Sequence, residues 1–412
     1  MNYPNPSLAK ILVFYFFCLF SFVLISCSDS GTEPQPKPPG YQEDIPWPSL
    51  ADSPWPMYHG NPQSTGRSRF AGPTEGIISK IIDAEDSQAG VIVGFDSTFY
   101  YTTRSELIAS DYTGNKKWSL LLGAELTTTP LLSKDSVLYI ANGSLKTIFA
   151  ITHDGEIKWE YKSQSDIWNL TLGIDLEGNL YFIDNDNNLT VLSADGTLLW
   201  QLNDIRILKG SGVTFSFSPD GKTLYLQGKE TTLLAIDINE HIIKWTFGDT
   251  ILRTGPIVDN QGNIYVLPDV DSFSTKNNFF YSLNPSGEIR WQFKHNEKNI
   301  LNNIEPTMDS NGNIYFGSDT LYSLDYNGNL NWKVNLGKPI TTSLISDRLN
   351  NVYLSISDEL FLQEIVCISY TGEIIWRLTI VNERGLNSSS AITEEGSLIF
   401  SSFRSKSVYI IK

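Results

Sequence analysis

The chain has 412 residues, 41% of them hydrophobic, with 30 basic against 46 acidic side chains and a net charge of −16. That balance disfavours a nucleic-acid partner, because phosphates demand basic surface. Three cysteines and four scattered histidines leave no basis for a disulfide framework or a cysteine–histidine zinc site.

Lys10 precedes an apolar run, Ile11 to Ile25, which meets Ser26 and Cys27. The run is shorter than the roughly 20 residues a spanning helix needs. A basic start, a short apolar centre and a small residue before the cut predict a secretory signal over residues 1–26. Leu24-Ile25-Ser26-Cys27 resembles the lipobox of bacterial lipoproteins. The resemblance implies lipidation of Cys27, with several acyl chains to hold the membrane durably. Residues 27–54 are rich in Pro, Ser, Gly and acids and show no apolar period, so a disordered tether is expected there. The remainder, 55–412, is expected to fold as one domain.

Repetition organises that remainder. Trp118, Trp159, Trp200, Trp245, Trp291, Trp332 and Trp376 each follow a turn residue by four positions, and successive ones lie 41, 41, 45, 46, 41 and 44 apart. The turn residue is Gly in six cases and His241 in one. A second marker keeps the same period, from Phe99-Tyr100 and Leu138-Tyr139 through Ile314-Tyr315 to Ile399-Phe400. Between them lie alternating or β-branched strand patterns without helical period. Each unit reads as strand A, turn, strands B and C, Gly turn, and a strand D bearing Trp. Four antiparallel strands per 40-odd residues make one propeller blade.

The predicted class is therefore all-β: an eight-bladed β-propeller of four-stranded antiparallel blades, with seven blades the alternative if one B marker is spurious. Eight B strands face only seven Trp-bearing D strands. The last unit stops after Val408-Tyr409-Ile410-Ile411, and a lone D-like segment, Gly76 to Ile82, precedes blade one with Lys80 in place of Trp. That segment is predicted to pair into the last blade and close the ring, hiding two raw sheet edges.

Trp55 to Ser68 (WPMYHGNPQSTGRS) resembles the opening motif of the pyrroloquinoline-quinone-like (PQQ-like) propeller repeat family. Ala109 to Trp118 and Ser323 to Trp332 resemble its tryptophan-docking motif. The resemblance covers about residues 55 to 412. It implies that the seven tryptophans dock neighbouring blades, a structural role that suits a large indole with one N–H. In plan, with lipobox, tether and eight blades, the chain is similar to the lipoprotein propeller of the outer-membrane β-barrel assembly machinery. The family's dehydrogenases hold a quinone against adjacent cysteines and chelate Ca²⁺. This sequence has one cysteine, Cys367, in its body, set in an apolar strand and expected to be buried and inert. No catalysis, cofactor or metal site is expected. Asp184 to Asn188 lacks the Gly and distal Glu of a helical Ca²⁺ hand and reads as a hairpin turn.

What remains is a binding surface. The A–B and C–D turns are short, so that rim is expected to be plain. The D–A and B–C connections vary in length, and variable loops on a rigid scaffold carry binding. The candidate residues on that face are Trp168, Arg206, Lys209, Arg253, Lys338 and Arg384. The expected function is a non-enzymatic scaffold for envelope proteins or peptides, lipid-anchored outside the cytoplasm and favouring the outer membrane. The alternative is a glycan or small ligand in the axial pocket, with a quinoprotein as the remote third.

Overall fold

A computed structural model describes residues 37–84, 90–123, 126, 128–167, 171–205, 214–228, 232–249, 252, 254–268, 278–296, 304–358, 363–380, 390–401 and 406–412. The signal and lipobox expectations, Cys27 included, lie outside these residues. Among them, 32 strands form eight separate four-stranded antiparallel sheets, and no helix is present. Blades 1 to 8 begin at A strands Ile92–Val93, Leu131–Leu132, Gly173–Ile174, Ser216–Phe217, Ile257–Val258, Thr307–Met308, Ile345–Ser346 and Ser390–Ile392.

Burial follows position within the blade. The A strands are wholly buried, whereas D strands such as Ile157–Lys162 expose every second residue. Period-2 alternation on a strand with one solvated face gives this pattern. The apolar residues of the B and C strands fill the space between blades.

Blade 8 is Ser390–Ile392, Leu398–Ser401 and Ser407–Ile411, and its fourth strand is Ile78–Asp83. The register runs Ile78↔Ile411, Lys80↔Ile410 and Ile82↔Val408. The closure expected from the unmatched D segment is present, and the blade number is eight.

A β-bulge recurs at one place in all eight D strands. In blade 1 the register slips between Ala109 and Ser110, and Trp118 then lies opposite Ala109. The same slip sets Trp159 opposite Ala150, Trp291 opposite Ser282, and Trp376 opposite Cys367. A bulge re-aims the side chain that follows it. Here it turns the indole toward the next blade, and the small residue opposite leaves it room.

Each indole then meets the segment that leads into its neighbour's D strand. Trp118 Nε1 donates to His153 O (2.8 Å), Trp159 to Ala194 O (3.0 Å), Trp245 to Pro285 O (3.2 Å) and Trp291 to Tyr326 O (3.1 Å). Trp332 donates to Tyr370 O (2.8 Å) and Trp376 to Pro73 O (3.1 Å). The turn glycine lies flat on the ring: a Cβ at Gly155 would sit 2.9 Å from Trp118, and one at Gly328 would sit 2.5 Å from Trp291. These glycines also take φ near +85° to +90°, which a side chain resists. His241 stands in the turn above Trp200, with φ of 56°, and its imidazole stacks on the indole at 4.2 Å. Lys80 holds the docking register in blade 8, and its aliphatic stem lies 2.8 Å from where a Gly114 Cβ would be. A lysine stem is apolar enough to fill that slot.

Cys367 is buried, 1% exposed, and burial pushes its thiol up to about 12. A thiol so far from ionising is a poor nucleophile.

The tether is shorter than the composition suggests. The compact unit begins at Pro39, and Gln42, Trp47, Ser49, Leu50 and Ala51 are all buried. Trp47 donates to Ile174 O at 3.1 Å and packs on Phe217 at 5.6 Å. Prolines set an extended path, and the apolar residues among them bind that path to the propeller.

Candidate functional site

Residues 39–75 form a strap and a plug at the ring's centre. The strap, 39–53, crosses the A–B turns: Gln42 N–H donates to Ser310 O (2.8 Å) and Lys134 N–H to Ser49 O (2.9 Å). The plug is the Trp55–Ser68 motif. Its carbonyls and amides join A strand after A strand: Val93 N–H to Trp55 O (2.8 Å), Leu132 N–H to Pro56 O (2.8 Å), Phe217 N–H to Pro62 O (2.8 Å), Val258 N–H to Gln63 O (2.9 Å) and Met308 N–H to Thr65 O (3.0 Å). Ser346 and Ser68 close the series from blade 7. The chain itself thus satisfies the inner strands and occupies the axis on the A–B side.

The plug carries a buried polar cluster. Tyr58 OH donates to Glu305 Oε2 at 2.6 Å and lies 3.0 Å from Ser343 Oγ, and the Ser343 hydroxyl also donates to Glu305. Burial, and then the Glu305 charge, hold the Tyr58 phenol well above its ordinary range. His59 stacks on Tyr58 at 5.3 Å, and its Nδ1 lies 2.9 Å from Ser64 O. Burial lowers the His59 pKa against the pull of Glu305. Its Nε2 is buried without a hydrogen-bond partner.

The A–B turns repeat a second device. Asp175, Asp259, Asp309 and Asp347 each accept from a turn Asn and from a B-strand tyrosine hydroxyl: Tyr181 (3.0 Å), Tyr265 (2.9 Å), Tyr315 (2.7 Å) and Tyr353 (3.0 Å). Burial raises the Asp309 pKa and those of all four tyrosines. The sequence marks these positions as turn and strand but says nothing of the bond between them.

Strap and plug together wall a cleft of about 610 Å³ at the axial mouth. That volume suits a small ligand or a short peptide segment. Its wall holds Trp47, Phe95 and several prolines, and its charges are Arg67, Arg69, Lys134, Asp44 and Asp52. Arg67 Nη2 bonds Asp44 Oδ1 at 2.7 Å with its side chain only 7% exposed, and its Nη1 is buried with no partner. Arg69 pairs with Asp52. The rim expected to be plain thus carries a formed cleft.

On the opposite face, Lys338 lies between blades 6 and 7. It is held by Glu364 (2.7 Å) and Asp358 (3.4 Å), and Glu364 also takes Arg377 (3.0 Å). The Glu364 hydrogen bond raises the Lys338 pKa. Trp168, Arg206, Lys209, Arg253 and Arg384 lie outside the described residues. In the Asp184 loop, Oδ1 accepts the Asp186 and Asn188 amides at 3.0 Å each, which is a turn closing on itself. Among the described residues no group of three His, Cys, Asp or Glu side chains could hold a metal ion. With a single body cysteine, the chain lacks the adjacent cysteine pair against which the family's dehydrogenases hold the quinone.

Residues 67–204 match a PQQ-repeat family model described as "Outer membrane protein assembly factor BamB". No curated protein matches the chain in sequence. Among solved structures, the quinohemoprotein alcohol dehydrogenase of Comamonas testosteroni is similar at a TM-score of 0.66 and 12% identity, over 88% of this chain and 80% of that one. BamB from Moraxella catarrhalis is similar at 0.64 and 13%, over 82% and 99%. A europium-containing methanol dehydrogenase is similar at 0.64 and 10%, over 84% and 89%. Identities this low speak for the fold, which is that of the PQQ-like propellers.

Proposed function

We propose that this PQQ-like propeller is a non-enzymatic scaffold that docks proteins at the cell envelope, lipid-anchored through Cys27 and held outside the cytoplasm. The observation that carries the reading is the outer rim. D strands present one unpaired edge and exposed large apolar residues: Leu121 (69%), Ile242 (54%), Ile81 (53%) and Ile289 (52%). Apolar residues repeated around a soluble rim mark contact surface, and open strand edges can take up an extended chain. The match of residues 67–204 to the BamB family model supports an assembly role at the outer membrane. The plug supports a non-enzymatic reading, since chain fills the axis on one side.

Crosslinking in the native envelope, from photoreactive residues at positions 121 and 242, tests the proposal. Discrete protein adducts are expected. Adducts only to lipid, or none, would count against it. A quinoprotein reading makes a separate forecast: adding the quinone with Ca²⁺ should give a bound-cofactor spectrum, and the scaffold reading expects none.

A further inference from the structure

We infer that the cleft between strap and plug is a receptor for carboxylate groups, with Arg67 as its anchor and Asp44 as an internal stand-in for the ligand. Three observations converge. Arg67, Arg69 and Lys134 face two carboxylates, Asp44 and Asp52, so the cleft carries one excess positive charge in a chain whose net charge is −16. An incoming anion finds its most favourable ground there.

The Arg67 fork is half used. Asp44 engages Nη2 alone, while Nη1 has no partner although it is buried. A guanidinium prefers two parallel bonds to one carboxylate, and a buried donor left unmade is costly. A ligand carboxylate that takes both nitrogens therefore improves on Asp44. Asp44 is itself loosely held, with its side chain 61% exposed. It can swing to solvent without disturbing the plug, whose hold on blade 7 is through its backbone.

The walls define the rest of the ligand. Trp47 and the prolines present apolar surface beside the charges. The favoured occupant is thus an acid with a short apolar body, arriving either as a free organic acid or as an acidic peptide segment.

The test uses the full chain in detergent micelles, titrated at low salt with succinate and with fluorescein-labelled acetyl-hexaaspartate amide; hexalysine is the control. Binding of either acid and none of hexalysine is expected. Binding of peptide alone assigns the source to protein segments, and binding of succinate too assigns it to free acids. Removing the internal competitor through Asp44→Asn should tighten binding up to about fivefold, the range of an exposed ion pair. Arg69→Gln should weaken it. A variant that merely loosened the strap would lose affinity, so the opposite signs separate recognition from folding. No binding of either acid to wild type and to D44N at millimolar concentration overturns the inference, as does weaker binding by D44N. Either failure would leave the envelope crosslinks of the scaffold reading untouched.

Discussion

An indole and the glycine above it work as a pair, because the ring can lie against the turn only where no Cβ intervenes. Gly155→Ala forces a side chain into φ of 90° and onto Trp118. The left-handed backbone alone costs about 1–2 kcal/mol, so a loss of at least about 2 kcal/mol is expected in denaturant unfolding. The double variant with Trp118→Ala should lose less than the sum, since the clash disappears with the ring. Both members were legible in the Gly-x-x-x-Trp period, although each ring lies on the glycine of the following blade and not on its own, and Lys80 and His241 stand out as the two departures. His295 was not legible. It is 2% exposed, both ring nitrogens lack partners, and it sits edge-on to Phe316 at 5.7 Å. Burial lowers its pKa from 6.5 to about 4. The unfolded chain therefore binds the extra proton between those values, and stability is full above about pH 6.5 and falls as pH drops toward 4. The loss is on the order of 3 kcal/mol. His295→Phe should flatten that part of the stability–pH curve in urea titrations.

At the scale of the element, the strap is the instructive case. Proline spacing and lack of period pointed to a solvated tether, and period-based reading cannot detect a segment held by extended backbone bonds. Trp47 and Leu50 were the available signal, because a solvated linker has no use for buried apolar area. Trp47→Ala should free the strap while leaving the blades intact. Hydrogen exchange should show lost protection at the Ser49–Lys134 contact and unchanged protection in strands such as Val137–Asn142. The closing strand makes the converse case, because pairing logic alone located it. Deleting residues 1–83 leaves Ser407–Ile411 with an open apolar edge. Self-association on size-exclusion chromatography is expected, as open edges seek partners.

For the whole molecule, the 40-odd-residue period was enough to reach blade number and ring closure, because each blade repeats the same local solution. What happens at the axis was out of reach. The plug is a single, unrepeated motif whose partners are backbone groups of A strands scattered from Val93 to Ser346. Nothing in its own residues names those partners. The same lack of repetition made the A–B rim look plain, although the strap builds a cleft there.

The plug also sets the order of events during synthesis. Residues 55–83 leave the ribosome before any blade, yet their partners run from Val93 to Lys412. Contacts so distant in sequence must wait for the far end of the chain, and folding dominated by them is slow. A nascent chain released after residue 380 should therefore be cut by protease near its beginning, where the finished protein resists. For a protein read as exported, that delay is useful: a chain that cannot complete its ring until its last strand arrives stays threadable through a membrane pore.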